Sequence, residues 1–130
     1  MSVICKILVY TNDANFSDKM KRVFGSEEYV LRVVGLFTEV VEILHFELYD
    51  VLVIETEFMG EMNGLLKIAD NVLLGIPIVV ACGESKLKIV DGENSRFYFV
   101  SKFSDPEEWK KVIQMAVSEN YIITTKGAQT

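Results

Sequence analysis

A carboxylate delivered by a buried strand is the most chemically suggestive feature of this sequence. The stretch Tyr49–Gly64, YDVLVIETEFMGEMNG, reads as an apolar strand over Val51–Ile54 that carries Glu55 to its carboxyl end. An acidic, glycine-containing loop follows (Glu57, Phe58, Met59, Gly60, Glu61), then Asn63-Gly64 and the apolar start of a helix. In a parallel sheet with crossover helices, ligands and chemistry collect beyond the carboxyl ends of the strands, so Glu55 falls at a rim where its identity matters. A carboxylate there can help hold a cation or pair with a lysine. Asp13, Glu55 and Glu57 form a candidate metal cluster, although loop carboxylates are more often simply solvated. Solvation at a strand end is likewise the plain reading of Glu55.

Other reactive residue types are sparse. Cys5 and Cys82 lack metal-type spacing, and their places, early in the first strand and at the far end of a later one, suit a disulfide badly. Reduced thiols in a cytoplasmic protein are expected, with Cys82 a small buried hydrophobe rather than a reactive thiol. The single histidine, His45, lies on an amphipathic stretch with no partner motif and reads as a surface or boundary residue. No catalytic triad, zinc set or phosphate loop is visible, and an enzyme is not expected. The net charge of −6 disfavours nucleic acid and anionic lipid as partners. The amino-terminal MSVICKILVY is too short to span a membrane and lacks the features of a signal peptide.

The elements that must position Glu55 follow from periodicity. Half the 130 residues are hydrophobic, ample for one domain with a real core. Lys6–Tyr10 is a compact apolar strand ended by Thr11-Asn12-Asp13, and Ala14–Phe24 has helical spacing with Asn12 or Asp13 as N-cap. Tyr29–Val34 is a β-branched strand; Thr38–Leu48 is amphipathic, with Val40, Val41, Leu44 and Leu48 on one face. Asn63–Val72 is a weak helix, Ile78–Ala81 a strand opened by Gly75-Ile76-Pro77, Glu84–Val90 at most a short helix, and Arg96–Val100 the fifth strand. Ser104-Asp105-Pro106-Glu107-Glu108 starts a final helix, with Asp105 as cap, proline at the first helical position and acids in the first turn. Trp109, Val112, Ile113 and Ala116 face inward on it. Strand and helix alternate five times, which implies a three-layer α/β domain, a doubly wound five-stranded parallel sheet of flavodoxin-like type. Residues 1–119 form the domain and 120–130 a tail.

In this order and spacing the motifs resemble the receiver domain of bacterial two-component response regulators, the CheY-like domains, over Lys6–Ser118. ILVYTND is similar to the first strand and its acidic cluster; DVLVIETEFMGEMNG to the third strand, its phosphoacceptor and the following loop. IPIVVACG is similar to the fourth strand, and FVSKFSDPEEW to the fifth strand with its lysine and the start of the final helix. The resemblance makes Glu55 the phosphoacceptor equivalent, Thr11, Asn12 and Asp13 the equivalents of the acidic pocket, and Cys82, Phe99 and Lys102 the switch equivalents.

Departures from the family pattern decide the functional expectation. Thr11 and Asn12 stand where two adjacent acids would hold magnesium, a glutamate replaces the phosphoacceptor aspartate, and the switch hydroxyl is Cys82. Magnesium is usually anchored by carboxylates, and in-line phosphoryl transfer rests on positioning and charge neutralisation, which an added methylene, about 1.5 Å of reach, disturbs. Magnesium binding is expected to be weak or absent, and no cofactor is expected. Glu55 is instead expected to reach Lys102 directly and fix one conformation. The reading is a stand-alone, degenerate pseudo-receiver, a phosphorylation-independent protein-interaction module in two-component-type signalling. Its alternatives are a receiver phosphorylated on Glu55 or Asp13 and an unrelated flavodoxin-like ligand-binding protein. Signalling proteins are the expected partners, with homotypic pairing as one mode. The expected contact is the face formed by the fourth helix, fifth strand and fifth helix in the family, including Phe103; Phe58 and Met59 are candidate contact residues on the rim loop.

Overall fold

The computed structural model describes residues 4–56, 75–83 and 97–128. In chain order the elements are β1 (Cys5–Tyr10), α1 (Ala14–Val23), β2 (Tyr29–Val34), α2 (Phe37–Phe46), β3 (Val51–Thr56), β4 (Ile78–Cys82), β5 (Phe97–Ser101) and α3 (Pro106–Ala128). The helices expected over Asn63–Val72 and Glu84–Val90, and the loop carrying Glu57, Phe58 and Met59, lie outside the described residues.

The strands form one sheet in the order β2-β1-β3-β4-β5, and every neighbouring pair is parallel. This is the expected doubly wound architecture. Successive side chains of a strand point to opposite faces, so the sheet divides its apolar residues between two cores. Ile7 and Val9, Val51 and Val53, Val79 and Ala81, and Val100 meet Phe16, Met20, Trp109, Ile113 and Ala116 of α1 and α3. Leu8, Leu52, Ile54, Ile78, Val80 and Cys82 meet Val40 and Ile43 of α2 on the other face. The central strands β3 and β4 are buried on both faces, which is why their sequences are continuous apolar runs rather than alternating ones.

Helix α1 is fixed at both ends. Asp13 is extended and its Oδ1 accepts from the backbone N–H groups of Asn15 (2.9 Å) and Phe16 (3.4 Å), an N-cap that satisfies donors the first turn leaves open. Lys21 and Arg22 occupy the last turn, where cations favour the helix dipole. At Gly25 a Cβ would lie 2.7 Å from the Lys21 carbonyl oxygen, so the close return of the chain requires glycine. Trp109 of α3 is wholly buried and packs on Phe16 with ring centroids 5.6 Å apart. Its indole N–H is buried without a hydrogen-bond partner among the described residues.

Several boundaries differ from expectation. β3 runs on through Glu55 and Thr56, because both pair in register with Ala81 and Cys82 of β4; cross-strand pairing outweighs their polarity. α2 begins at Phe37 and ends at Phe46, without a side-chain cap on Leu36. Leu48 therefore lies past the helix and is 89% exposed, rather than on its inward face. α3 continues to Ala128, so most of the expected tail 120–130 is helical. Cys5 and Cys82 are not joined in a disulfide, and burial, with the nearby Asp50 charge, pushes the Cys5 pKa up to about 11. Among the described residues no helix is long and apolar enough to cross a membrane.

Candidate functional site

The same two-residue period that sorts the cores also builds the site. Val9, Val53 and Val100 face the α1–α3 layer, so Thr11, Glu55 and Lys102, each two residues further on, emerge at the carboxyl rim on that side. Asp13 joins them from the N-cap of α1. The Thr11 hydroxyl donates to Glu55 Oε1 at 2.8 Å and accepts the Asp13 backbone N–H at 3.0 Å. Lys102 Nζ donates to Asp13 Oδ2 at 2.7 Å and lies 3.8 Å from Glu55 Oε1. One hydroxyl and one ammonium thus link the two carboxylates.

The cluster is largely withdrawn from solvent. The side chains of Lys102 and Glu55 are each 6% exposed, and that of Asp13 is 28% exposed. The hydrogen bond from Lys102 is the main cause that holds the Asp13 carboxyl below the usual carboxylate range; desolvation opposes it, and the Phe16 and Asn15 amides assist. The expected Glu55–Lys102 contact is present as a longer approach, and the closer partner of Lys102 is Asp13. The cap geometry explains this: Oδ1 is committed to the α1 amides, which leaves Oδ2 directed at the rim.

The resemblance makes Asn12 an acidic-pocket equivalent and Cys82 a switch equivalent, and neither joins this cluster. Asn12 is exposed, and its Oδ1 would stand 3.1 Å from a Cβ placed on Gly35, across the β1–β2 rim. Cys82 is fully buried in the core beneath α2, on the opposite sheet face from Glu55. Phe99 packs against that same α2-side core, half-buried. Phe103 is 74% exposed beside Lys102. Phe58 and Met59 lie outside the described residues.

Two participants were not anticipated. By sequence Thr11 is a lost metal ligand; in the structure it is the donor that holds Glu55. Lys19 of α1 donates to the carbonyl oxygens of Lys102 (2.8 Å) and Ser104 (2.6 Å), tying down the loop that carries the rim lysine. A signal for Lys19 was available: it falls three residues after the buried Phe16, at the edge of the inward stripe of α1.

The described donors do not fit a magnesium ion. Such an ion wants near-octahedral oxygen ligation with carboxylate anchors. Here both oxygens of Asp13 and Oε1 of Glu55 are already taken by amides, the Thr11 hydroxyl or the Lys102 ammonium. Among the described residues no group of three or more His, Cys, Asp or Glu is placed to hold a metal.

Comparison with solved structures places the architecture. A response regulator receiver domain protein (CheY-like) from Methanospirillum hungatei superposes with a TM-score of 0.74 at 18% identity, over 91% of this chain and 97% of that one. The signal receiver domain of an HD domain-containing protein from Pseudomonas fluorescens gives 0.74 at 15% identity, over 91% and 98%. This is the receiver fold of two-component signalling proteins. A receiver domain from a Francisella response regulator agrees, at 20% identity and a TM-score of 0.71 over 88% and 98% of the two chains. No protein-family model and no curated protein matches the sequence. At these identities the likeness speaks for the fold alone.

Proposed function

We propose that this chain is a receiver-fold interaction module whose rim is held in one state by its own side chains rather than by phosphoryl transfer. The observation that supports the reading is the linked contacts Thr11–Glu55, Asp13–Thr11 and Lys102–Asp13. A phosphoacceptor carboxylate must offer an oxygen to an incoming phosphorus while a metal and a cation neutralise the developing charge. In this rim Thr11 occupies a place that would carry a metal-binding acid, and the cation is drawn to Asp13. A modification on Asp13 would break the N-cap of α1 and its bond to Lys102 together, which argues against that residue as an acceptor.

The module acts through its surface. Phe103, 74% exposed, and Met115, 42% exposed, lie on the side of β5 and α3, and the proposed partners are signalling proteins or a second copy of the chain engaging that face. The net charge of −6 makes nucleic acid an unsuitable partner. A calorimetric titration with magnesium tests the reading: no saturable heat is expected at millimolar concentrations of about 1–10 mM, where a carboxylate-anchored site would fill. Saturable, stoichiometric binding that Asp13→Asn or Glu55→Gln abolishes would count against it.

A further inference from the structure

Away from the rim, a cleft between α1 and the start of α3 gathers charge of one sign. Its volume is about 420 Å³, and it is lined by Lys19, Arg22, Val23, Pro106 and Lys110. Lys19, Arg22 and Val23 share one face of α1 through their i, i+3, i+4 spacing, and Pro106 and Lys110 are four apart on the facing helix. Like charges at such spacings repel. The chain carries 19 acids against 13 lysines and arginines, yet among the described residues no carboxylate lines this cleft. Arg22 and Lys110 are exposed and have no ion-pair partner among the described residues. The Lys19 ammonium spends two of its three donors on the Lys102 and Ser104 carbonyls and keeps one. Burial first, and then the Arg22 charge, hold the Lys19 pKa below its ordinary value, with Asp105 acting in the opposite sense.

We propose that this cleft binds a compact polyanion carrying at least two linked phosphate groups, held by Lys19, Arg22 and Lys110. The charge count favours phosphate: a phosphate group brings about −1.5 to −2 at neutral pH, so two linked groups balance three cations within a small volume. The planar guanidinium of Arg22 suits bidentate contact with phosphate oxygens, and the two ammonium groups serve as point charges on either side. Val23 and Pro106 supply short apolar walls. Arg22 and Lys110 take no part in the rim contacts, so their substitution tests the cleft separately from the reading of the rim.

The test is calorimetry of the full chain with inorganic pyrophosphate at fixed ionic strength, with the fluorescence of Trp109, the single tryptophan, followed alongside. One saturable site is expected. Arg22→Ala and Lys110→Ala are each expected to weaken it by about tenfold, the loss of one charge-assisted hydrogen bond, with unchanged circular dichroism because both side chains are exposed. No saturable heat, or binding that neither substitution weakens, would overturn the site. Citrate binding as tightly as pyrophosphate would overturn the assignment to phosphate.

Discussion

Lys102 Nζ lies 2.7 Å from Asp13 Oδ2 and 3.8 Å from Glu55 Oε1, although Glu55 is the more buried carboxylate. The cap of α1 decides the order of preference. Asp13 is held in place by two amide donors of its own helix, and the Lys102 chain reaches it from the end of β5. The rim is therefore joined to α1 at its N-cap, and again at Lys19, which grips the Lys102 and Ser104 carbonyls.

The pH dependence of stability follows from the lowered pKa of Asp13. A carboxyl whose folded pKa lies below its unfolded value, about 3.9, contributes stability that is present in full above that value. The contribution is lost progressively as pH falls from the unfolded pKa through the folded pKa, the interval in which the unfolded state binds more protons than the folded state. Asp13→Asn keeps a good cap and removes the charge. Urea unfolding is expected to give a wild-type advantage over Asp13→Asn that is constant above about pH 5 and shrinks below about pH 4.

Thr11 is 6% exposed and makes one hydrogen bond as donor and one as acceptor. Thr11→Val keeps the shape and leaves both the Glu55 oxygen and the Asp13 amide short of a partner. A loss of about 1–3 kcal/mol in denaturant unfolding is expected. Thr11→Ser, which restores the hydroxyl, should recover most of it.

Removing the ammonium leaves two carboxylates facing each other across the rim. Lys102→Met is expected to cost about 2–4 kcal/mol, below the full penalty for a broken buried pair because Asp13 retains some solvent. Adding Glu55→Gln should return part of that loss. A double-mutant cycle by chemical denaturation measures the coupling; strict additivity would mean that Lys102 and Glu55 do not interact.

Two glycines should respond differently to alanine. At Gly25 the new Cβ meets the Lys21 carbonyl oxygen at 2.7 Å, a backbone atom that cannot move away. At Gly35 it meets the side-chain Oδ1 of Asn12 at 3.1 Å, which can rotate aside. Gly25→Ala is expected to destabilise by about 1–3 kcal/mol and Gly35→Ala by less than about 1 kcal/mol, both read by thermal or denaturant unfolding.

The sheet and its layers were legible because apolar runs, polar breaks and a capped final helix mark them locally. Glu55 was read as lying just past its strand, since nothing local says that Ala81 and Cys82 will pair with Glu55 and Thr56. The Thr11–Glu55 bond spans 44 residues and needs both strands in register before it exists. Cys82 is the small buried hydrophobe that its residue type suggests, and strand parity sends it to the face opposite Glu55. The preference of Lys102 for Asp13 was hidden for a similar reason: it depends on which oxygen the helix cap leaves over. Helix α3 continues past Ser118, where the sequence holds Glu119-Asn120 and then Tyr121-Ile122-Ile123, with no glycine or proline before Gly127.

The most direct test is exposure of the purified chain to acetyl phosphate and magnesium, followed by intact mass measurement. An unchanged mass is the expected result, with the rim contacts of Thr11, Asp13, Glu55 and Lys102 undisturbed. A stable phosphoryl adduct that forms only with magnesium, and disappears in Glu55→Gln or Asp13→Asn, would contradict a rim held by its own side chains.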